Sequence, residues 1–138
     1  MKTKTQQTLH IRFKNLDEFE KEGTDALKKG KKLIQSKDEL FFANPTVFER
    51  VFTPQKFRLL AIISALKPSS IYQLAQLSDR NFANVSRDCY ALETFGFIHL
   101  KDSDLGERLT KKPELVFPYE KIVVHLPKGI SFGYALAS

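Results

Sequence analysis

The chain has 138 residues, 42% of them hydrophobic, enough to bury the core of one ordinary domain or of one domain with an appended subdomain, and too many for a disordered polymer. Lys+Arg 22 against Asp+Glu 16 gives a net charge of +6, which favours a polyanionic partner such as nucleic acid or an anionic membrane surface. The single cysteine, Cys89, excludes an intrachain disulfide; the start MKTKTQQT lacks the apolar run of a signal peptide, and LLAIISAL at 59–66 is far short of the ~20 residues that cross a bilayer. A cytoplasmic protein with no membrane association is expected.

In chain order, Leu9, Ile11 and Phe13 alternate with His10, Arg12 and Lys14, the period of a half-buried strand. Asn15 then stands as a cap before an amphipathic helix carrying Leu16, Phe19, Ala26 and Leu27, which stops near Gly30. KKGKK at 28–32 reads as a basic helix end and loop, and residues 33–42 as one or two short strands. Asn44 and Pro45 supply a cap and a first-turn proline for a short helix, TVFERVF. Thr53 and Pro54 start a helix to about Leu66 that is apolar on most of its circumference, so it is expected to be central and buried. Ser70 caps the next helix, which places Ile71, Leu74 and Leu77 on one side with Ala75 beside them.

After the turn SDR comes RNFANVSRDCYALETFGFI, residues 80–98. Phe82, Val85, Cys89 and Leu92 form one apolar stripe at helical spacing, while Ala83, Asn84, Arg87 and Ala91 point the other way. Beyond Gly96, FIHLKD reads as a strand, SDLGERLTKKP as a polar loop, and KIVVHL at 121–126 as a second strand. Three helices followed by a two-stranded ribbon with a basic loop is the layout of a winged helix. The expected class is α+β, a winged helix-turn-helix with an N-terminal strand-helix extension. Its parts are a β-α-β extension at 1–43, the winged helix at 44–126 and an apolar tail at 127–138.

The stretch from about Phe52 to Leu126 resembles the small MarR-like winged-helix family of DNA-binding transcriptional regulators, often encoded beside a toxin gene. The matching residues are Thr53–Pro54, Leu74–Ala75, Arg80, Asn84–Val85, Arg87–Asp88, Leu92–Glu93, Gly96, Pro113, Tyr119 and Ile122. Two positions depart from the pattern: Asp79 stands where the family has glycine and Asn81 where it has aspartate. Asp reaches the left-handed turn at modest cost, and Asn caps a helix about as well as Asp.

A helix that enters the major groove must keep a low face, which Ala83 and Ala91 permit. Asn84 can then pair bidentately with adenine and Arg87 with guanine, near the start of the helix where base edges are normally met. An ion pair of Arg87 with Asp88 or Glu93 is the plainer alternative. Arg80 either meets a phosphate or clamps Asp88, and Tyr90 either contacts the DNA backbone or packs on a neighbouring element. Arg108, Lys111 and Lys112 cluster near the ribbon tip, where they would neutralise phosphates unless the loop is merely solvated. Lys56, Arg58 and Lys67 are weaker phosphate candidates.

Catalysis has no support in the sequence. Cys89 belongs to the apolar stripe; His10, His99 and His125 lie on separate predicted strands without metal-ligand spacing; Asp102 and Asp104 shape a loop. No enzyme, cofactor or metal is expected. The expected function is sequence-specific regulation through double-stranded DNA, and the resemblance implies an antitoxin repressing its own toxin–antitoxin operon. A free-standing regulator that answers a small ligand, and a winged helix serving only protein interaction, are the alternatives. A homodimer is expected, built from the N-terminal unit or the tail. In that tail Ile130, Phe132, Tyr134 and Leu136 alternate with small residues, the pattern of a strand that either folds back on its own core or pairs within the dimer, or is added to a toxin partner.

Overall fold

The structure, a computed structural model, describes residues 7–14, 38–102 and 111–127. These form a mixed α+β fold whose elements, in order, are β1 (Thr8–Phe13), β2 (Glu39–Phe42), α1 (Pro45–Val51), α2 (Pro54–Leu66), α3 (Ile71–Ser78), α4 (Phe82–Thr94), β3 (Ile98–Asp102), β4 (Lys111–Leu115) and β5 (Lys121–Val124). They fall into two compact units, one spanning 51–120 and the other drawn from the chain on either side of it. The expected helix at 15–30, the basic run at 28–32 and the tail from 128 lie outside the described residues.

In the unit built from the chain ends, β1 is the middle strand of a parallel three-stranded sheet ordered β2-β1-β5. The alternation expected of β1 holds, with Leu9 and Ile11 wholly buried and His10 and Arg12 half-buried. Phe48 of α1 sets its ring edge-on to Phe13 and Phe42. The side chain of Asn44 accepts a hydrogen bond from Val47 N at 3.0 Å, which caps α1 as its Asn-Pro start predicts.

The 51–120 unit buries Leu59, Leu60 and Ile63 of α2, Ile71, Leu74 and Ala75 of α3, and Val85, Cys89 and Leu92 of α4. Each large side chain among them contributes about 1.5–3 kcal/mol by leaving water. Three of the caps read from the sequence act in this unit: Lys56 N donates to Thr53 Oγ1, Gln73 N to Ser70 Oγ, and Ala83 N to Asn81 Oδ1. Beneath the ribbon, the Tyr119 hydroxyl donates to Phe97 O at 3.0 Å, and burial pushes that phenol's pKa up.

Three expectations about packing need correction. Helix α2 is not buried all round, since Phe57, Ala61, Ala65 and Leu66 are exposed; its apolar circumference outruns the surface available to cover it. Leu77, six residues after Ile71, has rotated off the α3 core face and is exposed, and Phe82 lies at the rim, where its ring meets Tyr72.

The ribbon also differs from the reading of its second strand. β3 pairs antiparallel with β4 (Lys111–Leu115), placing Ile98 opposite Leu115 and Asp102 opposite Lys111, so Lys111, Lys112 and Pro113 form strand where a loop was expected. KIVVHL, expected as that strand, instead supplies β5 and lies parallel to β1 in the other unit. KKPEL hides its strand character because it does not alternate, and its pairing draws on charge. Lys101 meets Glu114 at 2.7 Å and Lys111 meets Asp102 at 2.8 Å. Pro113 costs no ladder bond, because the amide of its partner Leu100 turns outward and donates to Glu93 Oε2 at 2.9 Å.

Candidate nucleic-acid interface

Helices α3 and α4 are joined by a turn that the local sequence dictates. Asp79 takes φ 55° and ψ 46°, the left-handed conformation for which glycine is the cheapest residue, and its amide bonds back to the last carbonyls of α3. Arg80 N then donates to Ala75 O at 3.0 Å, and Asn81 opens α4 by accepting from Ala83 N and Asn84 N. The chain thus turns within three residues, which fixes where α4 begins.

Of the two readings of Arg80, its geometry favours the clamp. Its Nη2 lies 2.9 Å from Asp88 Oδ2, both side chains are largely shielded from solvent, and Lys56 Nζ lies 4.0 Å from the other Asp88 oxygen. The cluster joins α2, the turn and α4. Arg80 Nη1 is buried without a hydrogen-bond partner among the described residues. Glu93 is tied from the same helix to β3 through the Leu100 amide, so α4 is held at both ends.

The outward face of α4 carries Ala83, Asn84, Arg87 and Tyr90, all exposed. Arg87 pairs with neither Asp88 nor Glu93. Its Nη2 donates to Asn84 Oδ1 at 2.7 Å. Tyr90 is 47% exposed, one turn beyond Arg87 and two beyond Ala83, and the Lys111 ammonium is close enough for the Tyr90 phenol and the Glu93 carboxylate to raise its pKa, after the larger effect of Asp102. The loop end of the ribbon, where Lys111 faces Asp102, is therefore the part within electrostatic reach of Tyr90 on α4.

The ribbon cations carry partners. Lys111 bonds Asp102, whose carboxyl is held below its usual pKa by that contact, and Lys112 lies 3.5 Å from Glu114, whose pKa is lowered chiefly by Lys101. Both pairs are solvent-exposed, so either cation can exchange its carboxylate for a phosphate with little loss. Arg108 and Asp104 lie outside the described residues. Arg58 and Lys67 are exposed, Lys67 as the left-handed cap of α2.

Two further features escaped the sequence reading. The parallel pairing of β5 with β1 brings His10 Nδ1 to 2.8 Å from His125 Nε2, although the residues are 115 apart in the chain. Among the described residues no group of three or more His, Cys, Asp or Glu is placed to hold a metal ion. An open cleft of about 420 Å³ also lies between the end of α2 and β4, lined by Ile63, Lys67, Lys112, Pro113 and Tyr119 among others. Cys89 is fully buried, and desolvation, with Asp88 adding to it, pushes its thiol pKa up to about 12.

A family model described as HVO_A0114 matches residues 51–124, more than half of the chain. The chain belongs to the HVO_A0114 family. The HVO_A0114 match takes in α2, α3, α4, the ribbon and β5, and hence every described residue of the exposed α4 face. No curated protein and no solved structure matches the chain. The name HVO_A0114 states no activity, so what the chain does has to be argued from this surface. No helix among the described residues is long and apolar enough to cross a membrane.

Proposed function

We propose that this protein is a sequence-specific DNA-binding transcriptional regulator in which α2–α4 and the β3–β4 ribbon act as a winged helix and α4 enters the major groove. The observation that carries the reading is the exposed face of α4, where a guanidinium and an amide stand over small residues with no acidic partner for Arg87. A helix face meant only for water gains nothing from that composition. A face that must approach base edges requires it. The +6 net charge and the Lys111 ammonium beside α4 support the same partner, and the MarR-like resemblance of residues 52–126 agrees with it.

In this mechanism the Arg80–Asp88 cluster and the Glu93–Leu100 bond set the angle of α4 on the core, Arg87 and Asn84 meet bases, and Tyr90, Lys111, Lys112 and Arg108 meet the backbone. Two copies would place two α4 helices about one helical turn apart on a near-palindrome. The role of antitoxin repressing its own operon rests on the resemblance. It is tested by asking whether a neighbouring gene product copurifies with this protein and has its toxicity relieved by it.

The DNA reading is tested by replacing Arg87 with alanine. The variant should lose sequence preference, with about 1–3 kcal/mol lost on the preferred site, and keep most of its non-specific affinity. Equal loss on all duplexes would make Arg87 a phosphate anchor. The ligand-responsive alternative gains one observation, the cleft between α2 and β4, because an occupant there would bear on Lys112 and Pro113 of the ribbon.

A further inference from the structure

The amide of Asn84 is committed before any DNA arrives. Its Oδ1 accepts from Arg87 Nη2 at 2.7 Å, one helical turn away on the exposed face of α4. Arginine has donors only, so the amide must present its oxygen to the guanidinium and turn its NH₂ outward. Two other contacts available to Arg87 along its helix are unused: Asp88 is taken by Arg80 and Glu93 by the Leu100 amide.

This arrangement changes what the pair can read. For bidentate contact with adenine, Asn84 must accept from the adenine amino group with the same oxygen, which would bring that amino donor against the Arg87 cation. Guanine offers two acceptors, O6 and N7, on its major-groove edge. The guanidinium still has N–H groups on both of its terminal nitrogens after bonding Asn84, and the outward NH₂ of Asn84 adds further donors. The tip of the face is therefore a surface of donors around one cation.

We propose that Asn84 is a positioning residue that orients the Arg87 guanidinium, and that the pair reads guanine as one unit rather than reading adenine and guanine separately. The proposal rests on the DNA reading above and names the base it selects. Holding the fork in place before binding removes rotamer freedom that an isolated surface arginine would lose on contact. The small exposed neighbour Ala83 adds no bulk beside the pair, while Ala91, expected on the same face, is half-buried.

The test is selection from a randomised duplex library with the full-length chain and its variants N84A, R87A, N84A/R87A and N84D, read as base preference at each position. The wild type should enrich a guanine column with roughly 5- to 150-fold preference over other bases. N84A and R87A should flatten that same column, and the double variant should be no worse than R87A. N84D keeps an oxygen facing Arg87, so its guanine column should survive while added negative charge weakens binding to every duplex. R87K, which keeps the charge and loses the fork, should behave as R87A does. If N84A instead empties an adenine column and leaves the guanine column intact, the two residues read independently and the proposal is overturned. Failure of the wild type to bind any duplex would instead remove the DNA reading, and this inference with it.

Discussion

Arg80 and Asp88 lie eight residues apart, on either side of the start of α4, and their charged groups meet at 2.9 Å with only 22% and 16% of the side chains exposed. The contact spans the one turn on which the placement of α4 depends. Arg80→Ala should destabilise the fold by about 1–3 kcal/mol, less than for a fully buried pair, because Asp88 keeps Lys56 nearby. Asp88→Asn should cost a similar amount, and the double-mutant cycle should show coupling near 1 kcal/mol or more. Denaturant unfolding of the four proteins checks this; additive effects would mean that the contact contributes nothing.

The His10–His125 contact gives a pH dependence with a defined sign. The pKa of His125 is lowered, first by desolvation and then by Arg12 and His10, so the folded state favours its neutral ring. Stability from this group is present above the ordinary value of 6.5 and is lost as pH falls below it, since the unfolded chain then takes up the proton more readily. Thermal midpoints measured from pH 8 to pH 5 should fall through that window, and the fall should be smaller in His125→Gln. An identical profile in the variant would remove the pair from the account.

Most of the site was legible because its signals are local. Asn81, Ser70 and Thr53 are caps that work over three residues, and Val85, Cys89 and Leu92 declare the buried face of α4 by period alone. The left-handed turn at Asp79 was expected only because the resembled family has glycine at that position, while SDR by itself indicated no more than a tight turn. What stayed hidden depends on pairing across the chain. KKPEL has no alternation and becomes a strand through Lys101–Glu114 and Asp102–Lys111, while KIVVHL alternates well enough for a ribbon and takes its partner from β1. The choice between the partners of Arg87 was likewise a matter of side-chain geometry, which spacing on a helix leaves open.

On the ribbon, Asp102 competes for the ammonium that a phosphate would use. Asp102→Asn should therefore strengthen binding to all duplexes several-fold and steepen the dependence of log affinity on log salt by up to about one unit, whereas Lys111→Ala should make it shallower by about one unit. Fluorescence titrations at a series of salt concentrations report both slopes. If neither slope moves, Lys111 makes no phosphate contact.

Cys89 should be inert in the native protein. With its pKa near 12, on the order of 1 in 10⁴ of the thiol is ionised at pH 8, and the sulfur is fully buried. Because the folded pKa is raised, the stabilising contribution of the neutral thiol is complete below the ordinary value of 9.0 and declines as pH rises toward 12. Labelling with a thiol reagent at pH 8 should proceed only at the rate of unfolding. Fast labelling of folded protein would contradict the packing described for α4.

The central claim, that α4 and the ribbon form a DNA-reading surface, is tested most directly by equilibrium binding of the full-length chain to duplex DNA across a salt series, with Arg87→Ala alongside. Binding to all duplexes should weaken steeply as salt rises, with a preferred sequence bound tightest and that preference lost in the variant. No binding at low salt, or an affinity that salt does not change, would contradict it and leave the exposed α4 face to a protein partner.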